Sequence, residues 1–317
     1  MSAITNFNEP LITKSKKWEK LGKILTPNKG VEWMRECLGS SFALQVGSTS
    51  YFSIYVTGRD SLNRSQIGKI KINIEKPIEV LEVSSSPVLS FGELGTFDEN
   101  GVSYPWLVRS YEKVLMYYVG WMPTVLTPFQ NHIGLATENK NGFFERVSKA
   151  PIFERNNDDY LSIGSCCVLA ENDIWKMWYT SFLEWGRLPS EPKHRYLIKY
   201  AESADGIIWN RGNKICINFQ NQNEYAIAKP SVLKIKNVYH MWYTYRGVDY
   251  KIGYAYSEDG VNWIRRDDIV GIDLSSNGWD STSQCYPQVF QYKNSLYMLY
   301  CGNSYGKEGL GIARLDL

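Results

Sequence analysis

The sequence predicts an all-β fold: a five-bladed β-propeller of four-stranded antiparallel blades, its ring closed by the N-terminal strand. Three observations carry this. The phrase KIGYAYSEDGVNW at 251–263 is a near copy of LIKYAESADGIIW at 197–209. A second phrase recurs as FSIYVTG at Phe52, VLMYYVG at Val114, KMWYTS at Lys176, HMWYTY at His240 and YMLYCGN at Tyr297. Its aligned tyrosines, Tyr55, Tyr118, Tyr179, Tyr243 and Tyr300, lie 63, 61, 64 and 57 residues apart, a period that belongs to a propeller blade. The 317 residues also include 22 Tyr and 11 Trp, types that favour strands.

Each unit repeats one internal order. An apolar run comes first: YPWLV at Tyr104, CCVL at Cys166, KPSVL at Lys229 or YPQVF at Tyr286. A short turn and the MWY run follow, then a polar loop of variable length. Next come the IGLA or IGYA run, a turn such as Asp259-Gly260, and a last strand opening on Trp or Phe. Alternation and aromatic enrichment mark the strands, and Asp-Gly pairs mark tight turns. The last unit stops at GLGIARLDL, one strand short. The segment WEKLGKIL at Trp18 resembles the outer strand WNRGNKIC at Trp209 and supplies the missing one, which removes the open edge. The expected organisation is one propeller domain, with blades near 30–90, 91–154, 155–219, 220–274 and 275–317 plus 17–26.

Charge is nearly balanced at +2, so no nucleic-acid or membrane surface is expected. The N-terminus MSAITNFNEPLITKSKKWEK has no apolar h-region, which reads as a cytoplasmic protein. The six cysteines lack metal-ligand spacing and read as free thiols. No metal or cofactor is expected.

In an antiparallel blade the start of the first strand and the loop between the second and third strands share one end. That end gathers the candidate site. The first-strand starts offer Asp98 beside Glu99, Asp159, Glu224 beside Asn223, and Asp280, with Arg35 and Glu36 in blade 1. The loops offer Arg59, Asp60, Asn63 and Arg64 in blade 1, and Trp121, Asn131 and His132 in blade 2. Blade 3 adds Glu184, Trp185, Arg187, His194 and Arg195, blade 4 adds Arg246, Asp249 and Lys251, and blade 5 adds Asn303, Tyr305, Lys307 and Glu308. Arg59 and Arg64 are placed to grip an anion together. Trp121 and Trp185 are placed to stack on a sugar. Tyr104, Tyr286 and Asp159 complete the substrate-binding candidates.

A five-bladed propeller with repeated MWY and IG-A-S-DG-W phrases resembles the furanosidase and arabinanase superfamily, glycoside hydrolase families 32, 43, 62, 68 and 130. The resemblance covers all five blades and implies a carbohydrate-active fold. The positions that family 43 fills with three carboxylates fall here on Ser41, Trp106 and Gly164. The blade 2 strand start, where family 130 places a catalytic Asp, holds Ser103 and Tyr104. Family 130 also implies a cationic phosphate pocket, a role that Arg59, Arg64, His194, Arg246 and Lys251 suit.

Three functions stay open. The first is a glycosidase or glycoside phosphorylase with displaced carboxylates, drawn from Asp60, Asp98, Glu224 and Asp280. The second is a non-hydrolytic enzyme of glycan or sugar-metabolite biosynthesis, with His132 and His194 in acid–base work. The third is a propeller that binds a glycan or protein without catalysis. The expected ligand is a small sugar or sugar phosphate.

Overall fold

The structure is a computed structural model that describes residues 11–110, 113–171, 173–186 and 193–317. Its strands fall into five groups of four. Blade 1 holds β2 (Cys37–Gln45), β3 (Tyr51–Arg59), β4 (Ser65–Asn73) and β5 (Val80–Val83). Blade 2 holds β6 (Gly101–Ser110), β7 (Lys113–Met122), β8 (Gln130–Glu138) and β9 (Phe144–Arg146). Blade 3 holds β10 (Ile163–Glu171), β11 (Ile174–Glu184), β12 (Arg195–Ser203) and β13 (Asn210–Ile217). Blade 4 holds β14 (Ala226–Ile235), β15 (Val238–Arg246), β16 (Tyr250–Ser257) and β17 (Ile264–Arg265). Blade 5 holds β18 (Cys285–Tyr292), β19 (Ser295–Cys301) and β20 (Leu310–Asp316), and β1 (Glu19–Leu25) pairs antiparallel with β20 as its outer strand. The first strands β2, β6, β10, β14 and β18 pack in a ring around the axis. No helix among the described residues is long and apolar enough to cross a membrane.

The recurring acids and tyrosines form one buried latch in each of blades 2 to 5. In blade 2, Asp98 accepts from Tyr118 Oη at 3.1 Å and from Arg146 Nε at 2.7 Å. In blade 3, Asp159 accepts from Tyr179, Ser181 and Lys199, and from Arg211 at 3.2 Å. In blade 5, Asp280 accepts from Tyr300 at 3.0 Å and pairs with Lys20 at 2.7 Å. Blade 4 uses two acids where the others use one: Asp267 takes the Tyr243 hydroxyl, and Arg265 bridges Asp267 and Glu224. Each latch has a cation on the outer strand, Arg146 on β9, Arg211 on β13, Arg265 on β17 and Lys20 on β1, and blade 3 adds Lys199 from β12. Each latch therefore ties the start of the first strand, the second strand and the outer strand together. A buried carboxylate so paired is costly to unpair.

Blade 1 departs from the pattern, and the alignment on Tyr55 shifts by one residue. Tyr118, Tyr243 and Tyr300 each face a glycine across the sheet, Gly134, Gly253 and Gly311. In blade 1 the residue facing Gly68 is Val56. The acid's register is held there by Met34, not Arg35, and Met34 is buried. An apolar pair replaces the acid–tyrosine pair.

An aromatic plate lies over the sheet next to each of three first strands. Trp33 covers Gly58 and Gly68, Phe97 covers Gly120 and Gly134, and Trp279 covers Gly302 and Gly311. A Cβ on Gly311 would stand 2.2 Å from the Trp279 ring. Gly311→Ala is therefore expected to lower stability by about 1–3 kcal/mol through overpacking, read as a lower denaturant midpoint at unchanged m-value. An unchanged midpoint would show that the Trp279 plate moves freely.

Candidate functional site

Every first strand carries a bulge at one register. The pairing slips between Leu38 and Ser41, Ser103 and Trp106, Ile163 and Cys166, Ala228 and Ser231, and Cys285 and Gln288. The bulged residues that align are Ser40, Tyr104, Ser165, Lys229 and Tyr286. Tyr104, Lys229 and Tyr286 take φ values of 53°, 54° and 59°, each just before a proline. For bulky residues this conformation costs about 1–3 kcal/mol each. Bulges re-aim side chains, and here they turn this ring of residues toward the axis. The Tyr104 and Tyr286 rings meet edge to face, 5.4 Å between centroids.

Above this ring opens a cavity of about 1200 Å³. It lies at the end shared by the first-strand starts and the loops between second and third strands. Its wall includes Arg59, Lys193, Arg246 and Lys307, with His194, and Glu36 is the single carboxylate among the lining residues. None of these four cations has a carboxylate partner among the described residues, whereas Arg146, Arg211, Arg265 and Lys199 in the blades are all paired. Arg246 donates to Tyr305 Oη at 2.6 Å, and its guanidinium sits among the rings of Tyr225, Tyr250 and Tyr305. Arg59 donates to the Asn63 carbonyl at 2.7 Å and lies 5.0 Å over the Trp121 ring.

Tyrosine hydroxyls form the other polar lining. Tyr196 and Tyr250 share a hydrogen bond of 2.5 Å. Burial pushes the hydroxyls of Tyr104, Tyr196, Tyr250 and Tyr286 well above the ordinary tyrosine range. They remain protonated donors at neutral pH. His194 Nδ1 accepts from the Gly186 N–H at 3.1 Å, so the neutral ring carries its proton on Nε2. Burial lowers the pKa of His194 and keeps that neutral form. Phe129 and Trp185 pack against it edge to face, and Phe182 packs against both of those rings.

The structure brings Arg59, Trp121, His194, Arg246, Tyr104 and Tyr286 together on this cavity. Trp185 and Glu224 border a smaller adjoining hollow of about 490 Å³. The acids expected at the mouth stand elsewhere. Asp98, Asp159 and Asp280 are buried in the blade latches, and Glu224 is held by Arg265 and the Gln220 N–H. Asp159 and Asp280 are held below the usual carboxylate range: burial alone would raise them, but Ser181 and Lys199 on one, and Lys20 on the other, prevail. Such groups stay ionised and cannot act as the proton donor. Asp60 folds the blade 1 turn instead, accepting from the Leu62 and Arg64 N–H groups and from Arg64 Nε at 2.9 Å. Arg64 is thereby committed to Asp60 and stacks on Phe91, so the clamp with Arg59 does not form. His132 is buried edge-on to Phe97 and away from the cavity lining. Lys251 is exposed outside it, and Arg187 lies outside the described residues.

Sequence reasoning missed Tyr196, Tyr250, Lys193 and the aromatic wall of Phe129 and Phe182. A signal for two of them was present. Tyr196 and Tyr250 both stand two residues before the isoleucine of the repeated phrase, Ile198 and Ile252.

The latch role makes a direct prediction for Asp98. Asp98→Asn weakens the contact to Arg146, and is expected to lower the melting temperature while ligand affinity at the cavity stays within about twofold, since the sites share no partner. A selective loss of ligand binding at unchanged stability would return Asp98 to the site.

No protein-family model matches the chain. The uncharacterized protein Rv1502 of Mycobacterium tuberculosis is 36% identical over 302 residues, covering 94% of this chain and 99% of the relative. The chain belongs to the Rv1502 family. Its fold is that of the propeller glycoside hydrolases. A solved structure described as a glycoside hydrolase superposes with a TM-score of 0.73 at 19% identity, covering 94% of this chain and 92% of the other. One from the GH130 family of mannoside phosphorylases, described as containing hydrolases that target β-1,2 mannosidic linkages in Candida mannan, gives 0.68 at 13% identity, covering 94% and 93%. At these identities the likeness establishes the fold alone.

Proposed function

We propose that the cavity takes a phosphorylated sugar and that the protein is a cytoplasmic enzyme of phosphorolytic rather than hydrolytic type. One observation carries this: four cations without carboxylate partners among the described residues face a cavity whose lining includes a single carboxylate. An anion is the complement to that charge, and the planar guanidinium groups of Arg59 and Arg246 suit a phosphate. Trp121, Phe129 and Phe182 supply apolar faces for a sugar ring, and the protonated tyrosine hydroxyls supply donors to its oxygens.

The chemistry follows from the donors present. Hydrolysis by the usual route needs two carboxylates flanking the scissile bond. Phosphorolysis needs a bound phosphate as nucleophile and one proton donor. A phosphate oxygen forms the new bond to the anomeric carbon, the bond to the leaving oxygen breaks, and that oxygen takes a proton. The bound phosphate, entering as its protonated monoanion, supplies that proton, and a cavity tyrosine hydroxyl relays it so that no phenolate is left, while His194 Nε2–H donates a hydrogen bond that orients the leaving oxygen. The six cysteines, all free thiols, fit a reducing compartment.

Calorimetric titration with inorganic phosphate, hexose 1-phosphates and the matching free hexoses tests this reading. A charge-assisted contact contributes about 1.5–3 kcal/mol, so a hexose 1-phosphate should bind at least tenfold more tightly than its hexose. Equal affinities, or binding of neutral sugars alone, would overturn it.

A further inference from the structure

Beneath the cavity a lysine amine is buried with no partner among the described residues, and burial pulls its pKa down to about 8. Lys229, at the bulge of β14, is fully buried. Its Nζ makes no hydrogen bond and has no ion-pair partner among the described residues. It lies 5.1 Å over the Trp106 ring of blade 2, so the side chain crosses the channel. The titratable groups around it are the thiols of Cys166, Cys167 and Cys301, which burial keeps protonated and neutral. Two more buried donors, Ser40 Oγ and Ser41 Oγ, also lack partners among the described residues. Ser40 occupies in blade 1 the bulge position that Lys229 occupies in blade 4. The preceding residue, Gly39, accepts from Cys301 Sγ at 3.0 Å, which links the serines to the thiol beside Lys229.

We propose that Lys229, with the hydroxyls of Ser40 and Ser41, binds a small monovalent anion of halide size in the central channel. An ammonium buried without a counter-charge costs several kcal/mol. It must lose its proton or gain an anion. The groups around it decide between the occupants. The ammonium and the serine hydroxyl hydrogens are donors, while the Cys301 thiol already gives its hydrogen to the Gly39 carbonyl. A water could use the serine oxygens as acceptors but would leave the ammonium uncompensated; an anion takes the donor hydrogens and neutralises the ammonium as well. Lys229 also spans from β14 to the aromatic residue of β6, so its occupant joins blades 2 and 4 across the axis. Lys229 and Ser41 do not line the sugar cavity and Ser40 borders it, so what separates this inference from the sugar reading is that the site uses none of the cavity cations.

Two measurements test it. Crystals soaked in sodium bromide should show an anomalous peak within hydrogen-bonding reach of Lys229 Nζ. In solution, replacing gluconate by chloride at constant ionic strength should raise the melting temperature saturably, by roughly 5 °C at a hundredfold excess over Kd. The rise should persist in the Arg59→Ala/Arg246→Ala variant, which empties the cavity of its arginines, and vanish in Lys229→Met. No bromide peak at Nζ would overturn the proposal, leaving water or a deprotonated amine there. So would a chloride response that survives in Lys229→Met or disappears with the cavity arginines. Should Lys229→Met fail to fold, Ser40→Ala/Ser41→Ala must shift the chloride midpoint upward severalfold, and an unshifted midpoint would count against the site.

Discussion

Deletion of residues 1–26 is expected to leave a chain that does not fold to a cooperative monomer. The lost segment contains β1, the outer strand of blade 5. Its removal exposes the edge of β20 from Leu310 to Arg314, a template for pairing with other chains. It takes Ile12, Trp18, Ile24 and Leu25 out of the core, all buried, and the Trp18 Nε1 bond to the Val270 carbonyl at 3.0 Å. Burial of each large apolar side chain contributes about 1.5–3 kcal/mol. It also strips Lys20 from Asp280, which leaves a buried carboxylate unpaired at a cost of about 3–5 kcal/mol. Together these match or exceed the roughly 5–15 kcal/mol that holds a domain folded. Size-exclusion chromatography and thermal melting check the result, with aggregates and no cooperative transition expected. A monomer melting like the intact chain would mean that the ring does not depend on β1. Lys20→Met isolates the latch: it should lower stability yet leave a folded monomer, since β1 still covers the edge.

The fold was legible because a propeller writes the same unit five times. Strand order, turn chemistry and the missing last strand could all be read by comparing copies. The register of the acids was legible too, but their role was not. Asp98 and Arg146 are 48 residues apart, and Asp280 meets Lys20 from the other end of the chain. Nothing local marks those partners, so a buried structural acid and a catalytic one read alike. Blade 1 hid its register because Met34 and Val56 replaced the pair that marks it elsewhere. The cavity tyrosines Tyr196 and Tyr250 come from different blades, 54 residues apart. Their shared position in the repeat was visible, whereas the closure that makes them neighbours is a property of the ring. The bulge ring of Ser40, Tyr104, Ser165, Lys229 and Tyr286 shows the same limit. Three of its members precede a proline in sequence, yet only the slipped pairing turns them to the axis.

Replacing Arg59 and Arg246 together by alanine should abolish sugar phosphate binding while leaving the fold intact. Neither side chain touches a carboxylate among the described residues, so its loss strands no buried charge. Arg246 does give up its contacts with three tyrosine rings and the Tyr305 hydroxyl, and Arg59 its place over Trp121. Exposed contacts of this kind contribute on the order of 0.5–1 kcal/mol each, so the melting temperature should fall by only a few degrees. Each arginine offers a charge-assisted contact of about 1.5–3 kcal/mol to a phosphate, so affinity for a hexose 1-phosphate should fall at least tenfold for each and at least a hundredfold together. Arg246→Lys separates charge from geometry. It keeps a cation but loses the planar fork and its stacking, and should recover part of the affinity of Arg246→Ala without restoring the wild type. Arg146→Ala is the contrasting variant: it unpairs Asp98 in the blade 2 latch and should cost stability with little change in affinity. Calorimetry and melting curves on these variants separate the two classes of cation. If Arg59→Ala/Arg246→Ala binds hexose 1-phosphate as the wild type does, the phosphate is held elsewhere and the cavity reading fails. If Arg146→Ala loses affinity at unchanged stability, the latch acids belong to the site after all.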